Sequence, residues 1–123
     1  MPASGNQNGG SETAPFKPLW ELMYADGVDV VLVAHNHVYQ RWAPQDPQGN
    51  AAEDGIAQFI VGTGGRQLYQ FGRPPRPGNL VATQNRAFGA LEMTLRDGTY
   101  DFEFVSAPGQ PDYQDAGTGV LCH

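Results

Sequence analysis

The sequence predicts an α+β fold, with one main helix packed on a mixed, mostly antiparallel β-sheet. Three features lead there: an apolar stripe at helical spacing that stops at a glycine, two hydrophobic runs that end in polar or glycine residues, and two alternating segments joined by Asp97-Gly98. The 123 residues suffice for one domain, and a 40% hydrophobic content can form its core. With 16 Gly and 10 Pro, the chain reads as short strands between many turns, not as a helical bundle.

Residues 1–14 are small and polar and are expected to form a flexible lead-in, which leaves 15–123 as a single domain. Ser11 or Thr13 caps the first helix, and Pro15 or Pro18 occupies its first turn, where a missing N–H costs nothing. Leu19, Leu22 and Met23, broadened by Trp20, predict a core-facing helix over roughly 16–26, with Gly27 as its stop. From Val28 to Ala34 the run is rich in β-branched residues and nearly all apolar, the pattern of a central strand covered on both faces. It delivers His35 at its C-terminal end, the place where open α/β sheets present functional groups.

Residues 43–55 form a loop with turn signals at Pro44, Pro47-Gln48-Gly49 and Asp54-Gly55. A second strand over 56–61 runs into Gly62-Thr63-Gly64-Gly65, and 70–86 is a Pro/Arg/Gly/Asn-rich excursion without periodicity. Phe88 to Leu95 and Tyr100 to Val105 alternate on either side of Asp97-Gly98 and predict a hairpin. Residues 106–123 are turn-rich and are expected to drape over the sheet or fray. The expected total is about five strands.

Seven basic residues against 13 acidic ones give a net charge of −6. Such a chain is a poor partner for nucleic acid or an anionic membrane, and the one local basic group (Arg66, Arg73, Arg76) reads as a solvated loop. Cys122 is the sole cysteine, so no intrachain disulfide forms. No stretch approaches the ~20 apolar residues of a membrane helix and no leader is evident, so the chain as written is expected in the cytoplasm.

The chemistry centres on His35-Asn36-His37. Just past a strand end, a turn can aim both imidazoles at one point or at two neighbouring metals, and neutral imidazole is the commonest nitrogen ligand for such ions. The alternative is a pair of histidines satisfied by backbone. The surrounding residues read Val-Asp-Val-Val-Leu-Val-Ala-His-Asn-His-Val-Tyr-Gln-Arg, followed about twenty positions later by Gln-Phe-Ile-Val-Gly-Thr-Gly-Gly.

This combination resembles the C-terminal signature of calcineurin-like metallophosphoesterases, in their purple-acid-phosphatase-like branch, from about Pro18 to the terminus. Leu19-Trp20-Glu21 and the hairpin around Asp97-Gly98, Tyr100 and Phe102 resemble it as well. The resemblance implies the C-terminal half of a metallophosphoesterase β-sandwich and a metal-dependent phosphoric ester hydrolase, in which metal-bound hydroxide attacks phosphorus. His35 and His37 fall on the family's metal-ligating and catalytic histidines, one to each of two metals, with zinc, iron or manganese as the implied ions.

Asn36 lies between them, and Tyr39 and Arg41 match the family's Tyr-x-Arg. That pair either anchors the loop or is a core tyrosine and a surface ion pair. Gly64 and Gly65 either keep the backbone close to the site or simply make a tight turn. Ala34 and Gln40 depart from the family's Gly and Glu, and its upstream Asp-x-His, Gly-Asp, Gly-Asn-His-Glu and further His motifs have no counterpart here. Members of that family are often extracytoplasmic.

Two neutral imidazoles do not make a two-metal centre, and a catalytic zinc ordinarily takes three protein ligands. The candidates for a third are His123, Asp26, Asp46, Asp54 or a histidine from a second copy; His123 is otherwise a disordered end. An isolated half-sandwich would expose an apolar face, which predicts a homo-oligomer, with strand edges pairing. Besides the hydrolase, the sequence admits a catalytically incomplete unit that binds metal or self-associates, and a purely structural module.

Overall fold

The computed structural model describes residues 16–71 and 78–123. The expected lead-in, the caps Ser11 and Thr13, Pro15, Arg73 and Arg76 lie outside the described residues. The helix α1 spans Lys17–Ala25 with Pro18 in its first turn. It ends where Asp26, Gly27 and Val28 donate their N–H groups back to Leu22, Tyr24 and Met23, with Gly27 at φ 73° as the left-handed residue this ending requires. The expected core-facing stripe is corrected: Trp20 is buried at 1% exposure, but Leu19 and Leu22 are 52% and 64% exposed. The helix therefore inserts one indole into the protein and presents its leucines outward.

Four strands make the first sheet: β1 (Val30–Val33), β2 (Tyr39–Gln45), β3 (Ile56–Val61) and β4 (Leu80–Gln84), in the order β1-β3-β2-β4. β1 runs parallel to β3, while β2 is antiparallel to both β3 and β4. Among the described residues the apolar run around β1 is thus an edge strand, not the central strand expected, and Leu32 on it is 57% exposed. The interior places belong to β3 and β2, and every residue of β3 but Val61 is buried.

The second sheet is β5 (Gly89–Arg96), β6 (Thr99–Ser106) and β7 (Ala116–Leu121), all antiparallel. Asp97-Gly98 makes the expected two-residue turn, with Gly98 at φ 74°. The α+β class and the mixed, mostly antiparallel pairing are as expected. The strands divide between two sheets, and the described residues hold seven of them.

Alternation along β3 explains how the sheets meet. Phe59 faces inward with Tyr39 of β2, against Tyr100, Phe102 and Phe104 of β6. Phe59 and Phe102 meet edge to face at 5.0 Å and Tyr39 tilts onto Phe104 at 4.6 Å, geometries that add to the burial of these rings. Ile60 faces the other way, with Val38 and Trp42, into a second cluster that takes in Val33, Phe71 and Leu80. That outer side also buries Gln40 and Gln58, and the Trp42 indole N–H donates to Gln40 Oε1 at 3.3 Å.

Candidate metal centre

Because β1 and β3 are parallel, with Val33 beside Ile60, their C-terminal ends lie together. The turn 34–37 leaves one and the glycine-rich turn 62–65 leaves the other. The two turns are pressed together at Gly62: a Cβ there would lie 1.9 Å from the Asn36 carbonyl oxygen and 2.8 Å from that of Ala34. Only glycine fits. Around it the Val38 N–H donates to Asn36 O (2.8 Å) and the Gly62 N–H to Val38 O (3.0 Å), fixing the backbone that carries both histidines. Gly64 and Gly65, read from the sequence either as keeping the backbone close or as a tight turn, have open space where a side chain would be, and Gly65 takes a positive φ of 135°. The close approach falls on Gly62, which nothing in the local run distinguishes from Gly64 and Gly65 without the opposing backbone.

His37 is held by three contacts. Its Nδ1 lies 2.9 Å from the Gln67 carbonyl oxygen, its ring stacks on Tyr69 at 4.3 Å, and its own carbonyl accepts the Tyr69 N–H at 2.9 Å. Tyr69 is in turn fixed through its carbonyl, which accepts from Asn85 Nδ2 at 2.8 Å. A carbonyl oxygen only accepts, so a neutral His37 bonded this way carries its proton on Nδ1 and leaves the Nε2 lone pair free. Metal-bound histidines are oriented by the same kind of second bond. His35 is exposed, and Asn36 is half-buried between them.

The other candidate ligands lie elsewhere. His123 donates its backbone N–H to Asp29 Oδ1 at 2.7 Å and sets Nδ1 at the same distance from that oxygen. Asp29 precedes β1, and an extended chain puts roughly 20 Å between it and His35. Asp26 closes α1 at that same far end. Asp54 accepts from the Tyr24 hydroxyl and Asp46 from the N–H groups of Gln48 and Asn50, both at the ends of β2 and β3 remote from the histidines. None of the four joins His35 and His37, and among the described residues no group of three or more His, Cys, Asp or Glu could hold a metal ion. Among the described residues, the two imidazoles therefore gain no third ligand from this chain.

Tyr39 and Arg41 point into the sandwich and share Asp115, a residue the sequence did not single out. The Tyr39 hydroxyl donates to Oδ2 at 2.7 Å, and Arg41 grips both oxygens at 2.8 and 2.9 Å. The guanidinium also lies 5.0 Å above the Phe102 ring. Burial, then the bond to Asp115, pushes the Tyr39 hydroxyl far above its ordinary pKa, so it stays a donor. This is a core tyrosine and a half-buried ion pair that fasten β2 to the entry of β7. Asp115 lies more than seventy residues away in sequence, and nothing in its local pattern marks it.

No family model, curated protein or solved structure matches the chain. No described helix is long and apolar enough to cross a membrane.

Proposed function

We propose that this chain contributes the histidine end of a metal-dependent phosphoric ester hydrolase. The observation that supports it best is the fixed His37 ring, whose Nδ1 is engaged by the Gln67 carbonyl, so that the neutral ring keeps its Nε2 lone pair for a ligand. The sequence resemblance around 28–41 and 58–65 supplies the reaction class. Arg66 and Arg86 are exposed in the segments that hold His37 and Tyr69, a setting suited to an anionic phosphate ester. The phosphate ester is the expected substrate, and zinc, iron or manganese the expected ion.

The missing third ligand favours a second reading, a unit that binds metal or self-associates without turnover. Protein purified without an affinity tag separates the two. Elemental analysis should find metal in the wild type and none after His35→Ala or His37→Ala. Hydrolysis of p-nitrophenyl phosphate that stops on chelation and in both variants supports the hydrolase. Metal without such turnover leaves the second reading, and a wild type that takes up no metal ends the hydrolase and leaves of the second reading only self-association, which mass by light scattering reads.

A further inference from the structure

We infer that Arg66 and Arg86 form a metal-independent clamp for a phosphate dianion at the histidine end of the first sheet, one that selects phosphomonoesters over diesters. β1, β3 and β4 end on the side where β2 begins, with Val33 beside Ile60 and Tyr39 opposite both Val61 and Gln84. The turns that follow β3 and β4 therefore leave the sheet on one side, the first carrying Arg66 and the second Arg86. Each arginine adjoins a residue that holds the histidine turn. Arg66 precedes Gln67, whose carbonyl meets His37 Nδ1, and Arg86 follows Asn85, whose side chain donates to the Tyr69 carbonyl. The backbone at Arg86 is also fixed. The buried Gln84 accepts the N–H groups of Arg86 and Ala87 on Oε1, at 2.9 and 2.8 Å, and donates from Nε2 to the Ala87 carbonyl at 3.0 Å. A buried amide is thus committed to a turn that displays an exposed arginine, which lowers the ordering cost of binding there.

The surrounding charges leave both guanidinium groups open to an anion. Among the described residues neither enters an ion pair, whereas Arg41 and Arg96 are matched by Asp115 and Asp101. The chain carries a net charge of −6, yet its loop carboxylates gather elsewhere. Asp46, Glu53 and Asp54 lie in the loop at the opposite ends of β2 and β3. Asp97 lies in the turn at the far end of β5 from Gly89, the residue bonded to Thr63. Of the described loop carboxylates only Asp112, after β6, is unpaired on the histidine side. A guanidinium offers parallel N–H donors that match two oxygens of one phosphate. A monoester brings three free oxygens and two negative charges to such a pair, while a diester brings two oxygens and one charge. Two arginines balance the first and overbalance the second. The clamp rests on the hydrolase reading only for the claim that its ligand is a substrate; the binding itself needs no metal.

The test is calorimetric titration of tag-free, metal-stripped protein with methyl phosphate and with dimethyl phosphate, well above the ~6 second pKa of a phosphate monoester. Methyl phosphate is expected to bind one to one and about tenfold more tightly than dimethyl phosphate. Arg66→Ala and Arg86→Ala should each weaken it by about tenfold, the usual loss of one charged hydrogen-bonding partner. Arg96→Ala, which removes the partner of Asp101 beside the hairpin turn, should leave the affinity unchanged. A stripped wild type that binds no methyl phosphate overturns the inference. So does equal affinity for dimethyl phosphate, an affinity that either Arg66→Ala or Arg86→Ala leaves within twofold, or an equal loss in Arg96→Ala, which would mean diffuse attraction by any cation. Metal-free binding of methyl phosphate without turnover of p-nitrophenyl phosphate by the metal-loaded protein supports the clamp while removing the hydrolase, so the two failures are read separately.

Discussion

Replacing Asp115 by Asn tests how strongly the ion pair holds the sandwich together. The Asp115 and Arg41 side chains are 10% and 27% exposed, so the pair is mostly but not wholly removed from water. Losing one partner of a fully buried pair costs about 3–5 kcal/mol; here water reaches the guanidinium and takes back part of that, leaving about 2–3 kcal/mol. For a chain of this size that corresponds to a Tm lower by about 10 °C. Urea unfolding gives the free energy, and a cycle with Arg41→Met gives the coupling.

The pH dependence adds a second readout. Burial raises the Asp115 pKa, but the bonds from Arg41 and Tyr39 outweigh it and hold the carboxyl below its ordinary value. The native state then binds fewer protons than the unfolded chain, whose Asp titrates near ~3.9. The stabilisation is complete above that value and fades as the pH falls through the lower native pKa. Asp115→Asn should erase this acid-limb slope. A loss below about 0.5 kcal/mol, the level of an exposed surface pair, would refute the reasoning, as would an unchanged acid limb.

Gly62→Ala should cost about 2–4 kcal/mol and displace the His37 ring signals, because the atoms its Cβ meets are rigid backbone; an unchanged melting curve with unmoved signals would contradict this. Nitrogen-15 NMR at a pH where His37 is neutral should find its proton on Nδ1, and a proton on Nε2 would remove the free lone pair. Gly98→Val should destabilise the hairpin by about 1–2 kcal/mol, since φ 74° is unfavourable for a branched residue, read by chemical denaturation against Asp97→Asn as a tolerated control.

The sequence was most legible where local chemistry alone decides. Ile56–Val61 stands at its expected bounds and the Asp97-Gly98 hairpin has its expected turn, since β-branched runs and turn residues need no distant partner. β2 went unread because its inward and outward faces bury polar side chains, Arg41 on one and Gln40 on the other, which defeats a pattern based on apolarity. β4 follows a proline-rich stretch and β7 opens with Ala-Gly-Thr-Gly, so both owe their conformation to the neighbouring strand. The position of β1 at an edge depends on sheet order, which no window of sequence contains. For the candidate site, the adjacency of His35 and His37 was readable. The role of Gly62, the anchoring of His37 by Gln67 and Tyr69, and the capture of His123 by Asp29 all rest on long-range contacts.

Thr63 ties the histidine turn to the rest of the molecule. It is wholly buried, its hydroxyl donates to the Gly89 carbonyl at 2.8 Å, and its own carbonyl accepts the Gly89 N–H at 3.0 Å. The turn that abuts the histidines is therefore latched to the first residue of β5 in the opposite sheet. Loosening of the hairpin and loosening of the histidine turn are then one cooperative opening, not two. Amide exchange at Gly89 and at Gly62 should accordingly slow and quicken in step, making the far sheet a reporter of how firmly the imidazoles are held.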